Sequence, residues 1–227
     1  MRTIHTAMPR VELKPFVRVF AQREIARTSQ GFRQLDIASL EQILSFGFGD
    51  VTRLDYTNGQ SKLVPPIHVV GSQTAPSSCA HFDGCHLDFG IFLKPAALWQ
   101  LFQIPPAVLA NENGDGRDLI GSGIHTLWLR LSECKSFPHR IQVAEEYLLP
   151  FAINALPKSL VMKSAQYACL HSGAVRIEDL ANASGLSLRQ FERRFVTEIG
   201  LHRSFLPALR VSRWRWIQNV WRRTVRG

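Results

Sequence analysis

Arg189, Glu192 and Arg193 recur at spacings of three and four residues within "LRQFERRFVTEI", which places them together on one side of a helix. Guanidinium groups there can grip the O6 and N7 edge of guanine with two hydrogen bonds. A neighbouring carboxylate can accept from the amino group of cytosine. Opposite them, Phe191, Phe195 and Ile199 recur at i, i+4 and i+8 and give the helix an apolar seam to bury. The plainer alternative is an amphipathic helix with an ordinary solvated charge face.

The flanking residues favour the chemistry over the plain alternative. Ile177, Leu180 and Ala181 line one side of a short preceding helix, and Gly185 suits a left-handed cap after it. Ser187 caps the next helix, and Gln190 three residues on completes a capping box. Gly200 closes it. Two short helices joined by a tight turn with glycine form the helix-turn-helix pattern. The formal charge of the chain is +9, and residues 158–227 carry 13 Lys and Arg against 4 Asp and Glu. The first 157 residues carry 14 of each, so the whole excess lies around this motif and points to an anionic partner.

The stretch "VRIEDLANASGLSLRQFERRFVTEIGL" resembles the first helix-turn-helix of the AraC-type transcription regulators. The likeness rests on Leu180-Ala181, Gly185, Ser187, Arg189, Phe191, Arg193, Phe195 and Gly200. The N-terminal part resembles a sensor-type domain found ahead of this module in one subgroup, through "VVGSQT" (69–74), "GIFLKPAALWQLFQIPP" (90–106), "DLIG" (118–121) and "AEEYLLPF" (144–151). The resemblance implies double-stranded DNA as partner, with Arg189, Glu192 and Arg193 facing bases. It implies phosphate contacts for Ser187, Arg194, Thr197, Arg203, Arg210 and Arg213. A small-molecule effector and a homodimer are the further partners it brings. The sequence departs from the pattern after Gly200: His202-Arg203 stand where such regulators carry Ser-Pro, and Pro207 interrupts the start of the linker helix. The residues after it leave no room for the second helix-turn-helix of the family, so a truncated or frameshifted member is the expectation.

The elements that must position this motif read as strands first and helices later, an α+β arrangement. In "HLDFGIFL" (86–93), Leu87, Phe89, Ile91 and Leu93 alternate onto one face. "LEQILSFGFGD" (40–50) and "IHVVGSQT" (67–74) suit strands, and Asn58-Gly59 marks a hairpin turn. "KPAALWQLF" turns helical after Pro95, "NENGDG" (111–116) reads as a loop, and "LIGSGIHTLWLRLSE" and "PHRIQVAEEYLLPFAINA" read as helices. Pro157 divides a sensor-like or dimerisation domain, 1–157, from the DNA-binding domain, 158–227. Phe89, Trp99, Phe102 and Trp128 are the aromatic candidates for an effector pocket, with plain core packing as the alternative.

Other chemistries find less support. "CAHFDGCH" (79–86) offers Cys79, His81, Cys85 and His86, but not the paired knuckles of a structural zinc site, so no metal is expected. Cys85 and Cys134 lack the setting of a nucleophile, and no phosphate-binding loop, dinucleotide fingerprint or zinc-protease motif is present, so neither a cofactor nor an enzyme is expected. Four scattered cysteines and a charged N-terminus suit a cytoplasmic protein. A competing reading starts from "RVSRWRWIQNVWRRTVRG" (210–227): Trp214, Ile217, Trp221 and Val225 share one side of a helical wheel and Arg215, Arg222, Arg223 and Arg226 lie elsewhere, as in a helix resting on an anionic membrane. In that reading the protein is an enzyme or small-molecule binder with a membrane-facing tail. The upstream motif favours the linker-helix reading of this tail and no membrane partner.

Overall fold

A computed structural model describes residues 2–26, 31–36, 39–171 and 174–201. It is a mixed α+β structure built on two antiparallel sheets. The first sheet has six strands in the order β1 (Arg2–Ala7), β2 (Val17–Ile25), β9 (His86–Leu93), β4 (Gln42–Gly47), β7 (Ile67–Val70), β10 (Asn113–Asp115). The second has four: β3 (Phe32–Leu35), β8 (Ser78–Phe82), β5 (Arg53–Tyr56), β6 (Ser61–Leu63).

Alternation along β2, β4 and β9 sorts the side chains of the six-stranded sheet between two environments. Phe20, Leu44, Phe46, Phe89 and Ile91 point to one face and are fully buried. That face packs against α1 (Ala97–Phe102), α3 (Gly123–Glu133) and α4 (Phe137–Ile153), and Leu98, Leu127, Leu131, Ala144 and Leu148 complete the main core. Ala21, Ile43 and Phe92 point to the other face, toward the four-stranded sheet. The hairpin between β5 and β6 turns at Asn58-Gly59: Gly59 has φ +84°, and the Asn58 side chain accepts from the Gln60 N–H at 3.0 Å. Ser136 caps α4, accepting from the His139 N–H.

Some local expectations change. "NENGDG" is not wholly a loop, because Asn113–Asp115 form β10, paired with β7, and are followed by the short α2 (Gly116–Ile120). Backbone pairing at an edge needs no apolar side chain, so this strand leaves no hydropathy signal. "CAHFDGCH" is mostly strand β8, and its turn is confined to the residues before His86. Helix α1 starts at Ala97 rather than beside Pro95, after Ala96 with φ +67°.

Three helices follow: α5 (Leu160–Leu170), α6 (Ile177–Ala183) and α7 (Leu188–Ile199). Gly185 has φ +64° between α6 and α7, and Ser187 and Gln190 close a full capping box. Phe191, Phe195 and Ile199 are buried against Val161, Met162, Ala165, Leu180 and Ala181. Truncating a buried ring such as Phe195 costs about 3–5 kcal/mol. Leu40 and Ala96, from the strand-rich part, belong to the same apolar cluster. The Gln166 side chain donates to Pro95 O at 3.2 Å and Lys158 Nζ to Pro15 O at 2.8 Å, so the helical unit sits directly on the sheets.

The two left-handed glycines differ in their surroundings. A Cβ on Gly185 meets nothing within 4 Å, whereas on Gly200 (φ +85°) it lies 2.6 Å from the Pro106 carbonyl carbon. Gly185→Ala is therefore expected to cost roughly 1–2 kcal/mol from backbone strain alone, and Gly200→Ala clearly more. Urea unfolding of both variants checks this, and equal losses contradict the packing of α7 on Pro106.

Candidate functional site

The exposed face of α7 forms as its seam demands. With Phe191, Phe195 and Ile199 buried, Arg189, Arg193, Arg194 and Thr197 are exposed and Glu192 is half-buried. Arg189 and Arg193 stand one turn apart on the same side. Arg194 Nε pairs with Glu198 Oε1 at 2.9 Å. Glu198 also accepts from the hydroxyl of Ser159, the N-cap of α5. An exposed i,i+4 pair of this kind contributes about 0.3–0.5 kcal/mol, little enough for Arg194 to exchange it for another anion. Thr197 Oγ1 donates to Arg193 O at 3.0 Å. Ser187 is occupied in the cap, where its oxygen accepts from the Gln190 N–H at 3.3 Å. Arg203, Arg210 and Arg213 lie outside the described residues. The face is thus a short helix whose first turns carry unburied guanidinium groups, a shape and charge that fit a nucleic-acid groove.

The second feature lies between the two sheets. In a sandwich the two inner faces ordinarily meet as an apolar core. Here the inner face of the six-stranded sheet carries Arg18, Arg23, Ser45, His68 and Asp88, and the sheets enclose a cavity of ≈ 170 Å³. A single water occupies roughly 10–15 Å³ by this measure, so a small organic molecule fits. Arg23 spans the gap: its Nε and Nη2 donate to Asp88 at 3.0 and 2.7 Å, its Nη1 donates to Gln34 Oε1 at 2.8 Å, and it lies 4.1 Å over the Phe82 ring. Arg18 meets Glu41 at 2.7 Å. Asp36 accepts from the Ser78 hydroxyl. Burial pushes the carboxyls of Asp36 and Glu41 above the usual range, Ser78 opposing it at Asp36 and Arg18 and Lys94 opposing it at Glu41. Burial likewise holds His68 below the usual imidazole range, against the pull of Asp88.

The aromatic residues expected to line a pocket are placed elsewhere. Phe89 points from β9 into the main core, on the face away from the cavity. Trp99 packs against the helical cluster, and Phe102 packs on Phe151 with ring centroids 4.9 Å apart. Trp128 donates from Nε1 to Gly47 O at 2.9 Å and stacks on Phe48. None of the four touches the cavity. The signal that marks it is the opposite one: Asp88 and Gly90 alternate with Phe89 and Ile91, and Arg23 sits across from Asp88. Polar residues on the second face of a strand read as solvent-facing until a second sheet covers them. Of the residues in 79–86, Cys85 is exposed, His86 is buried against Phe82, and His81 pairs with Asp55 at 2.8 Å. Among the described residues no three His, Cys, Asp or Glu side chains are grouped to hold a metal ion. No helix there is long and apolar enough to cross a membrane.

No family model matches the chain. No curated protein matches it either. Among solved structures it is similar to native PhpD with cadmium atoms, at 13% identity and a TM-score of 0.26, over 84% of this chain and 41% of that one. The chain thus spans less than half the length of that protein, and a likeness of this size carries no argument about fold or function.

Because burial raises the Asp36 carboxyl, folding favours its neutral form. Its contribution to stability is full below the ordinary carboxylate range, about pH 4, and is lost as pH rises through its raised folded value. Asp36→Asn cannot ionise, so the variant is expected to gain stability relative to the parent between about pH 4 and pH 7. Denaturation midpoints across that range check it, and parallel profiles contradict the burial of a charged Asp36.

Proposed function

We propose that the protein is a sequence-specific DNA-binding transcription regulator, with α7 as the helix that enters the major groove and the cavity between the sheets as the site of a small effector. The observation that carries this reading is the α6–turn–α7 unit, with its aromatic seam buried and Arg189 and Arg193 exposed one turn apart. In this reading Arg189, Glu192 and Arg193 reach base edges, and Arg194 and Thr197 lie along phosphates. Residues 158–227 form the DNA-binding unit and residues 1–157 the sensing unit. The resemblance to AraC-type regulators and the net charge of the helical part point the same way.

A single helix in the groove makes few base contacts, so phosphate contacts supply most of the affinity and make it steeply dependent on salt. DNA selected from a random pool by the full chain is expected to bind with a negative slope of log affinity against log salt. Arg193→Ala is expected to cost about 1–3 kcal/mol on the selected sequence and much less on random DNA. Fluorescence anisotropy at several salt concentrations measures both. Binding without salt dependence, or an equal loss on both DNAs, overturns the groove assignment. Binding to anionic vesicles with none to DNA favours the membrane reading.

A further inference from the structure

The cavity is asymmetric in charge. At one end Arg23 is fully engaged by Asp88, Gln34 and the Phe82 ring. At the other end Glu41 is the one hydrogen-bonding or ionic partner of Arg18 among the described residues, with the Phe92 ring 5.9 Å away. Although Arg18 Nε lies 2.7 Å from Glu41 Oε1, its N–H is out of line and makes no hydrogen bond. A guanidinium carries five donors, so Arg18 holds most of its hydrogen-bonding capacity unused at the cavity wall. Lys94 is a second cation close enough to act on Glu41.

Arg18 reaches the cavity because of an irregularity in β2. Val17 pairs with Leu93 and Val19 with Phe92, so Arg18 is an extra residue in a bulge. Val19 lies on the cavity side of the sheet with Phe92 and Ala21, while Val17 and Phe20 lie in the main core. Regular alternation from Val19 would send Arg18 toward the helices, and the bulge turns it to the cavity instead. The wall beside it is apolar, formed by Ile43, Val70 and Phe92 with Leu54 and Val64 opposite.

The same end of the cavity touches the helical unit. Ser39 and Glu41 face the cavity, and Leu40 between them is fully buried in the cluster with Met162, Phe191 and Phe195. Ser39 is fixed to Gln73, another wall residue, by two backbone hydrogen bonds of 2.8 Å.

Resting on the effector reading above, we propose that the cavity takes a small organic acid, its carboxylate on Arg18 and its apolar body against Ile43, Val70 and Phe92, and that residues 39–41 transmit its presence to α5 and α7. A ligand carboxylate gives Arg18 the aligned, two-point partner that Glu41 does not. Glu41 keeps Lys94. A backbone shift at Glu41 carries Leu40 with it, because the two are consecutive residues with their side chains on opposite sides of the chain. Coupling is reciprocal, so whatever fixes α7 also changes affinity for the acid.

The test uses the full chain without DNA. Hexanoate and cyclohexanecarboxylate are titrated by calorimetry beside their neutral amides. At least one acid is expected to bind about tenfold or more tightly than its amide, the loss of a charge-assisted pair. Arg18→Met is expected to abolish that difference, and Arg18→Lys, which keeps the charge but not the fork, to reduce it. A melting curve establishes that each variant is folded, and if Arg18→Met is not, Arg18→Lys decides. Amide hydrogen exchange in residues 160–170 and 188–199 is expected to change on saturation with the acid, and to change less in Leu40→Val. Failure of both acids to bind, equal binding of acid and amide, or full binding by the Arg18 variants overturns the ligand class. Binding with unchanged exchange in α5 and α7 overturns the transmission. DNA is absent throughout, so a protein that binds acid but no DNA removes the regulatory function and leaves this site standing.

Discussion

The position of the three-helix unit on the sheets rests first on a buried contact, the insertion of Leu40 into its core. Leu40 comes from the strand-rich part, yet it packs with Val161, Met162, Phe191 and Phe195. Three short helices have too little apolar surface to hold a fixed arrangement without such support. Leu40, Ala96 and the contact of Gly200 with Pro106 supply it. The exposed arginines of α7 therefore have a fixed position relative to the sheets.

The second constraint is the covering of a polar sheet face. Arg23, His68 and Asp88 lie where a sandwich would bury Val or Ile. Ionised groups removed from water need partners, and the Arg23–Asp88–Gln34 arrangement provides them at one end. The strain of burial falls on Asp36 and Glu41, whose carboxyls are raised. Such a face is costly as a structural core, and its polar groups are suited to hold a polar ligand.

The helix-turn-helix geometry was the most legible part of the chain. Gly185, the Ser187–Gln190 box, the Phe191/Phe195/Ile199 seam and the Gly200 cap act within a few residues of one another, so local chemistry determines them. Strands β4, β7 and β9 were legible for the same reason, through alternation and turn residues. The cavity was not, because it exists only when two sheets face each other across residues distant in sequence, such as Arg23 and Phe82. The four aromatic residues singled out were a misleading guide to it: Phe89 and Trp128 satisfy themselves in the core, while the wall carries Phe82 and Phe92 among aliphatic and paired polar groups. Strand β10 and the bulge at Arg18 depend on backbone pairing, which side-chain patterns do not encode.

The proposed position of α7 in the major groove is tested most directly by methylation interference on the DNA selected by the full chain. Guanine N7 faces the major groove and adenine N3 the minor groove. The account predicts that methylation of particular guanines at N7 blocks binding within one short segment, while methylation at adenine N3 in that segment does not. Interference confined to adenine N3, or none at any guanine, would contradict it.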